Sequence, residues 1–142
     1  GPLGGSILGR HLTFEPRVLL GRQLGESRVV TSMIDISDGL SRDLSHICEE
    51  SHVGAILQES QIPIHDDARR LSERDGVHPL IHAFNDGEDH ELLFTASASP
   101  KLDGSVLQPI RIGTISEGNK TYLDHGDGRL MLIEPRGWEH LL

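Results

Sequence analysis

The chain alternates between segments with the apolar spacing of helices and short apolar runs typical of strands. In the clearest helical segment Leu40, Leu44 and Ile47 recur at helical spacing, so that one face of the helix is apolar. In the clearest strand, LLFTA at residues 92–96, the apolar run follows a strongly polar segment. The first predicted helix follows the start signal TFEP at residues 13–16 and ends at Gly25, and the other predicted helices are residues 40–51, 65–74 and 79–84. The predicted strands are residues 29–34, 53–58, 92–96, 110–115, 121–123 and 130–133.

The order of these elements predicts one domain of the α/β (α+β) class, a mixed β-sheet with flanking helices. At 142 residues the chain is long enough to bury a core of its own. Gly1-Pro2 resembles the remnant of a cleaved purification tag, and the GGS run at residues 4–6 is typical of a flexible lead-in. We therefore assign residues 1–8 to a tag remnant and linker and residues 9–142 to the domain.

Composition and charge exclude several classes of protein. A formal net charge of −9 argues against nonspecific nucleic-acid binding, which needs clustered Lys and Arg. The sequence has no apolar run of about 18 residues and no visible signal peptide, so we expect no membrane partner. The single cysteine, Cys48, excludes an internal disulfide, falls on the apolar face of its helix, and fits a reducing cytoplasm.

His78 and His82 have the spacing of zinc ligands on a helix. Pro79 makes His78 a helix start instead, so the pair is weak evidence for a zinc site.

An acidic turn, DISDGL at residues 35–40, lies at the predicted seam between a strand and a helix. One interpretation is a capped turn, in which the side chain of Ser37 or Asp38 accepts hydrogen bonds from the first amides of the helix. The other is a site for a hard cation such as magnesium, held by Asp35 and Asp38. Gly39 would let a ligand or another segment approach the backbone closely. This stretch alone leaves both interpretations open.

A second polar stretch, the acidic loop NDGEDHE at residues 85–91, precedes the strand at 92–96. A loop rich in Asp and Glu is usually a solvated surface, and this stretch alone does not exclude that interpretation. Near the C-terminus, Trp138 follows the breaker sequence PRG. As the only tryptophan it could plug the core, or, beside a ligand site, it could stack on an aromatic ring.

Taken together, these stretches resemble thiamine-monophosphate kinases. SMIDISDGL at residues 32–40, GEDHELLF at 87–94 and GWEH at 137–140 are similar to motifs of the C-terminal domain of that family. This domain is shared across the aminoimidazole-ribonucleotide-synthetase-like superfamily. The resemblance runs from about Gly9 to the end of the chain. The combination is more specific than any single motif.

The resemblance implies an ATP-dependent kinase that converts thiamine monophosphate to thiamine diphosphate with Mg²⁺. Phosphoryl transfer asks the protein mainly for positioning and charge neutralisation, so no residue is assigned as a catalytic base or nucleophile. Several ions bridging two phosphorylated ligands also need more carboxylates than one helix presents. The implied site residues are Asp35 and Asp38 for the metal, Ser37 for the nucleotide, and Asp86, Glu88 and Trp138 for thiamine phosphate.

The resemblance also implies that one domain of the family is absent from this sequence and that two positions of the acidic loop depart from the family pattern. Family members carry an N-terminal domain that dimerises and binds ATP, and it is absent from this sequence, so we expect the chain alone to be inactive and the whole enzyme to be a homodimer. The family loop usually reads Gly-Gly-Glu-Asp-Tyr, whereas here Asp86 replaces the first glycine and His90 the tyrosine. An alternative is therefore a non-catalytic ligand-binding module with the same fold.

Overall fold

The computed structural model describes residues 1–104 and 107–135 and contains four α-helices within that part of the chain. The helices are α1 (Val18–Glu26), α2 (Leu40–Ser51), α3 (Asp66–Asp75) and α4 (Pro79–Asn85). The strands are β1 (Val30–Asp35), β2 (Gly54–Gln58), β3 (Leu92–Ala96), β4 (Gly113–Ser116), β5 (Thr121–Asp124) and β6 (Leu130–Ile133). Short 3₁₀ helices cover Ser6–Leu8, Arg10–Leu12 and Glu59–Gln61. All the predicted elements are present, although α1 begins after the predicted start signal at 13–16 and continues past Gly25, and β4 begins later than the predicted strand at 110–115.

The strands form two sheets rather than the one that the sequence predicted. β1 and β3 pair antiparallel, with Asp35 opposite Leu92, so the end of β1 lies beside the start of β3. The other four strands have the order β4-β2-β5-β6, in which β2 and β5 are parallel and the other pairs antiparallel. This mixed pairing confirms the expected α/β (α+β) class. In the described residues no helix is long and apolar enough to cross a membrane.

The core lies where the apolar face of α2 meets both sheets and α4. Leu40 at the start of α2 and Leu123 on β5 are fully buried. Cys48 is buried on the same helix as predicted, and its burial raises the pKa of the thiol. Helix α4 begins after His78, whose Nδ1 accepts a hydrogen bond of 3.3 Å from the Leu80 amide, as expected for a helix start.

Residues 3–6 are buried against the domain, which differs from the flexible lead-in that the sequence predicted for residues 4–6. Leu3 is only 2% exposed and pairs like a strand residue with Ile64. Gly4 and Gly5 have positive φ, and a Cβ on either would lie 2.6 Å or less from the backbone of α4 or α3. These glycines therefore allow a close approach of backbones, which a glycine-rich composition does not distinguish from a linker.

Candidate functional site

The acidic turn connects β1 to α2, and Gly39 gives it its shape. Gly39 is the N-cap of α2 with a φ of 107°, a conformation that favours glycine. A Cβ at this position would lie 2.6 Å from the carbonyl oxygen of Phe84, at the end of α4. The turn is thus pressed against α4, and Ser41 strengthens the contact by donating a 3.1 Å hydrogen bond to Asn85 Oδ1.

The predicted capping of α2 by the side chain of Ser37 or Asp38 is wrong. The hydrogen bonds run the other way, from amides of the turn to the side chain of Asp43 within the helix. Oδ2 of Asp43 accepts hydrogen bonds from the amides of Ser37 at 2.9 Å and Asp38 at 3.0 Å. The bend at Gly39 turns these amides, rather than the side chains, toward the helix, and the N-cap residue itself, Gly39, has no side chain with which to cap it. Asp43 is 2% exposed, and burial raises the pKa of its carboxyl.

Backbone hydrogen bonds join the acidic loop to the acidic turn. The Glu88 amide donates to the carbonyl of Ser37 at 2.8 Å, and the His90 amide donates to the carbonyl of Ile36 at 2.9 Å. In return the Ile36 amide donates to the carbonyl of Glu91 at 2.8 Å. A Cβ on Gly87 would lie 2.6 Å from the carbonyl oxygen of Ser37, so the two segments lie in direct contact. Two motifs about fifty residues apart in sequence therefore form one unit.

Most of the predicted site residues lie exposed on this unit. Asp35, Ser37, Asp38 and Glu88 are all exposed. The carboxylates of Asp35 and Glu88 form no hydrogen bond or ion pair with any other described residue, whereas Asp38 Oδ2 lies 3.5 Å from Arg42 Nε in an exposed pair. The turn and loop therefore present free carboxylate oxygens, which are the ligands that Mg²⁺ prefers.

Asp86 has a different environment from the other predicted substrate residue, Glu88. Its side chain is only 5% exposed, and its two oxygens are both in use. Oδ2 accepts a 2.6 Å hydrogen bond from the Gly5 amide, and Oδ1 lies 2.9 Å from Nδ1 of His82. In this conformation Asp86 holds the N-terminal residues and α4 rather than facing solvent.

One further group of possible metal ligands lies beside the turn. Ligand atoms of Asp38, Asp43 and His46 all lie within 4.8 Å of one another. Asp43 and His46 were not among the predicted site residues, although their spacing of three residues on a predicted helix was a signal that they share a face. Asp35 is not in this group.

Comparison with known proteins identifies the family. No family model matches the chain. Thiamine-monophosphate kinase of Rhodopirellula baltica is 48% identical over 94 residues, which are 66% of this chain and 30% of that protein. The enzyme of the same name from Escherichia coli K12 is 38% identical over 94% of this chain and 42% of its own length. The chain belongs to the thiamine-monophosphate kinase family.

A solved structure of a family member shares the fold. The structure of the Aquifex aeolicus protein, AaThiL complexed with AMPPCP and TMP, is similar with a TM-score of 0.67 and 28% identity over 99% of this chain and 49% of that one. The chain thus spans less than half the length of the relatives it matches, as the C-terminal portion of a thiamine-monophosphate kinase. This confirms the predicted resemblance and its fold. Trp138, also assigned to the substrate, lies outside the described residues.

The remaining charges of the loop are buried in ion pairs. The side chain of Asp89 is fully buried beside the Arg10 guanidinium, and burial raises the pKa of Asp89 to about 6. Glu91 pairs with Arg17 at 2.8 Å. Burial acts to raise the pKa of Glu91, but the hydrogen bond from Arg17 and the amino group of Gly1 outweigh it and lower that pKa. These pairs could not be predicted from the sequence, because their members are more than seventy residues apart.

Proposed function

We propose that the chain is the substrate-facing C-terminal domain of an enzyme that transfers the γ-phosphoryl group of ATP to thiamine monophosphate. The observation that carries this proposal is the junction of the two acidic motifs, which fixes the backbone segments that carry the exposed side chains of Asp35 and Glu88 relative to each other. The family relation supports it, and so does the Aquifex relative, which was solved with AMPPCP, an ATP analogue, and TMP.

In this reaction an oxygen of the thiamine phosphate attacks the γ-phosphorus. The bond from that phosphorus to the β–γ bridging oxygen breaks, ADP leaves, and the product is thiamine diphosphate. Bound Mg²⁺ would neutralise the phosphate charges, and the exposed carboxylates of Asp35 and Asp38 fit a hard cation. The role of the protein is to hold the phosphates in line, which requires a rigid backbone at the turn.

We assign the other residues by the same logic. Ser37 is exposed on the acidic turn and contacts the nucleotide phosphates. Glu88 contacts thiamine monophosphate from the acidic loop, together with Asp86 and Trp138. Asp86 would have to release the Gly5 amide to reach the substrate, because both of its oxygens are engaged. No side chain is assigned to covalent or general-base chemistry, since this transfer needs positioning and charge neutralisation.

The proposal extends to the whole enzyme, of which this chain spans 30% to 42% in the two relatives described above. We propose a cytoplasmic homodimer that is joined through a preceding ATP-binding domain. The chain alone therefore binds substrate without turning it over. Appearance of thiamine diphosphate when the purified chain is mixed with ATP, Mg²⁺ and thiamine monophosphate would contradict this part of the proposal.

A calorimetric titration with thiamine monophosphate, with and without Mg²⁺, tests the site. We expect binding that depends on Mg²⁺ and weakens by about tenfold or more in Asp35→Asn and Glu88→Gln. The matched control is Glu73→Gln, which neutralises an exposed carboxylate on α3 and should bind like the wild type. If the wild type does not bind, the chain does not carry the substrate half of the site.

A non-catalytic binding module remains the second candidate, favoured by the departures at Asp86 and His90. Both candidates predict binding, so the deciding measurement is turnover by a longer protein that also contains the preceding residues of the natural gene product. Turnover that is lost in Asp35→Asn supports the kinase. A longer protein that binds thiamine monophosphate, Mg²⁺ and ATP without producing thiamine diphosphate would favour the module.

A further inference from the structure

An N-terminal arm, residues 3–17, runs along the acidic loop and contacts it at successive positions. At the start of the loop, the Gly5 amide donates a 2.6 Å hydrogen bond to Asp86 Oδ2, and Ser6 Oγ donates a 2.7 Å hydrogen bond to the carbonyl of Gly87. Ser6 is only 2% exposed. These contacts are buried or partly buried, so they are shielded from competition by water.

Further along the loop, Arg10 and Gly4 hold Asp89. Asp89 Oδ1 accepts a 2.9 Å hydrogen bond from the Gly4 amide and a short one from Arg10 Nη2. The Asp89 side chain has no exposed surface and that of Arg10 is 19% exposed. In the described part of the chain Asp89 Oδ2 and Arg10 Nε are buried without a hydrogen-bond partner. An incompletely satisfied buried pair is a poor device for stability, and its best-attested use is to fix one conformation.

At the end of the loop, the arm makes two more contacts. The Phe14 ring stacks on His90 with ring centroids 4.0 Å apart and an interplanar angle of 24°. Arg17 holds Glu91 through two hydrogen bonds, of 3.1 Å from Nε and 2.8 Å from Nη2. Such two-point pairing of a guanidinium fixes the orientation of the carboxylate as well as its position.

Glu88 is the exception within this stretch, because the arm leaves its carboxylate free. Its side chain is exposed and has no partner among the residues described. Its φ is 50°, and that of His90 is 52°, both in the left-handed region that non-glycine residues rarely adopt. Such conformations persist only where the surroundings hold them in place, and here the neighbours of Glu88 on both sides are bound by the arm.

We propose that the N-terminal arm positions the acidic loop for substrate, and that Arg10 is a positioning residue that acts on Glu88 through Asp89. This inference rests on the proposed function for the identity of the ligand, thiamine monophosphate, but not for the effect of the arm on the loop. The arm holds Glu88 in its left-handed conformation, in which the Glu88 amide donates its hydrogen bond to the carbonyl of Ser37. The exposed carboxylate then lies beside the acidic turn.

Amide hydrogen exchange tests this effect without any ligand. In Arg10→Met we expect the amides of Glu88 and His90 to exchange at least about tenfold faster, while amides of β5 keep their protection. Arg10→Lys keeps the charge without the planar fork and should give an intermediate rate. The matched control is Arg22→Met, which removes an exposed pair with Glu26 on α1 and should leave the loop unchanged.

A milder pair of variants covers the case in which Arg10→Met fails to fold. Ser6→Ala removes only the hydrogen bond to Gly87, and Ser45→Ala removes an exposed hydroxyl-to-carbonyl bond of the same 2.7 Å length within α2. We expect faster exchange at Glu88 in the first and not in the second. The proposal is overturned if Arg10→Met or Ser6→Ala leaves the loop amides as protected as in its control, or if exchange rises equally in both sheets.

Binding of thiamine monophosphate with Mg²⁺ then separates the two proposals. We expect the dissociation constant of Arg10→Met to rise by about tenfold at unchanged stoichiometry, with partial recovery in Arg10→Lys. If the wild type does not bind, the proposed ligand is wrong, and the exchange result alone decides whether the arm positions the loop. If the loop amides respond but the affinity does not, the arm positions the loop without acting on substrate.

Discussion

The amide of Glu88 donates a 2.8 Å hydrogen bond to the carbonyl of Ser37. This bond connects the acidic loop to the acidic turn at the position where both present exposed polar side chains. Because it is formed by backbone groups, it keeps the spacing of the two motifs independent of their side-chain rotamers. For a reaction that needs phosphates held in line, such a fixed spacing is the main contribution the protein can make.

Substitution of the glycines at this junction should disrupt it. Gly39 has a φ of 107° and Gly87 a φ of 67°, and a Cβ on either would lie 2.6 Å from a carbonyl oxygen. We expect Gly39→Ala and Gly87→Ala each to lower the free energy of unfolding by about 2 kcal/mol or more, measured by urea titration.

The control for these variants is Gly25→Ala on α1, where nothing lies within 4 Å of the added Cβ. Alanine favours a helix over glycine, so this variant should be neutral or more stable by up to about 1 kcal/mol. Equal losses of unfolding free energy in Gly25→Ala and Gly87→Ala would show that the close contact at the junction is not the cause of the destabilisation.

The sequence was sufficient to predict the helices and strands but not the contacts that connect them. Helix α2 begins and ends where the apolar spacing from Leu40 predicted, because local periodicity determines it. The role of Asp43 could not be predicted, since it depends on the bend at Gly39. The packing of Leu3 was also missed, because its neighbour Ile64 is sixty-one residues away.

Removal of the Asp43 carboxylate should loosen the acidic turn. Two amides, those of Ser37 and Asp38, lose their acceptor in Asp43→Ala. We expect a loss of about 1–3 kcal/mol in the free energy of unfolding, from urea titration, and weaker binding of Mg²⁺ by calorimetry. Glu50→Ala, on an exposed position of the same helix, is the control and should change neither. A turn that keeps its Mg²⁺ affinity without Asp43 would argue that the amide bonds are not needed to shape it.

The thiol of Cys48 should be unreactive in the folded protein. It is 5% exposed, and burial raises its pKa, so little of the reactive thiolate forms at neutral pH. We expect alkylation by iodoacetamide at pH 8 to be at least about tenfold slower than in urea, where the thiol is exposed. Mass spectrometry over time measures both rates. Equally fast labelling under the two conditions would place Cys48 outside the core.

The buried carboxyl of Asp89 should make stability fall as the pH rises toward neutrality. Burial is the main cause that raises its pKa to about 6 from the usual 3.8, against the opposing effects of the Gly4 amide and Arg10, and Asp86 adds to the increase. The folded state therefore binds the proton more tightly than the unfolded state does, so stability grows as the pH falls from about 7 through 6 toward 4. The difference between the two pKa values corresponds to roughly 3 kcal/mol.

Asp89→Asn tests this directly, because the amide is neutral at every pH. Urea titrations of the wild type between pH 4.5 and 7 should show the free energy of unfolding decreasing with pH, and the variant should lose most of that slope. Asp43, whose pKa is also raised by burial, contributes in the same direction. The pKa of Glu91 is lowered, so the stability that the ionised Glu91 contributes is lost only as the pH falls below this range. Glu117→Gln, at an exposed turn, should keep the wild-type slope, and an equal slope in Asp89→Asn would contradict the assignment to Asp89.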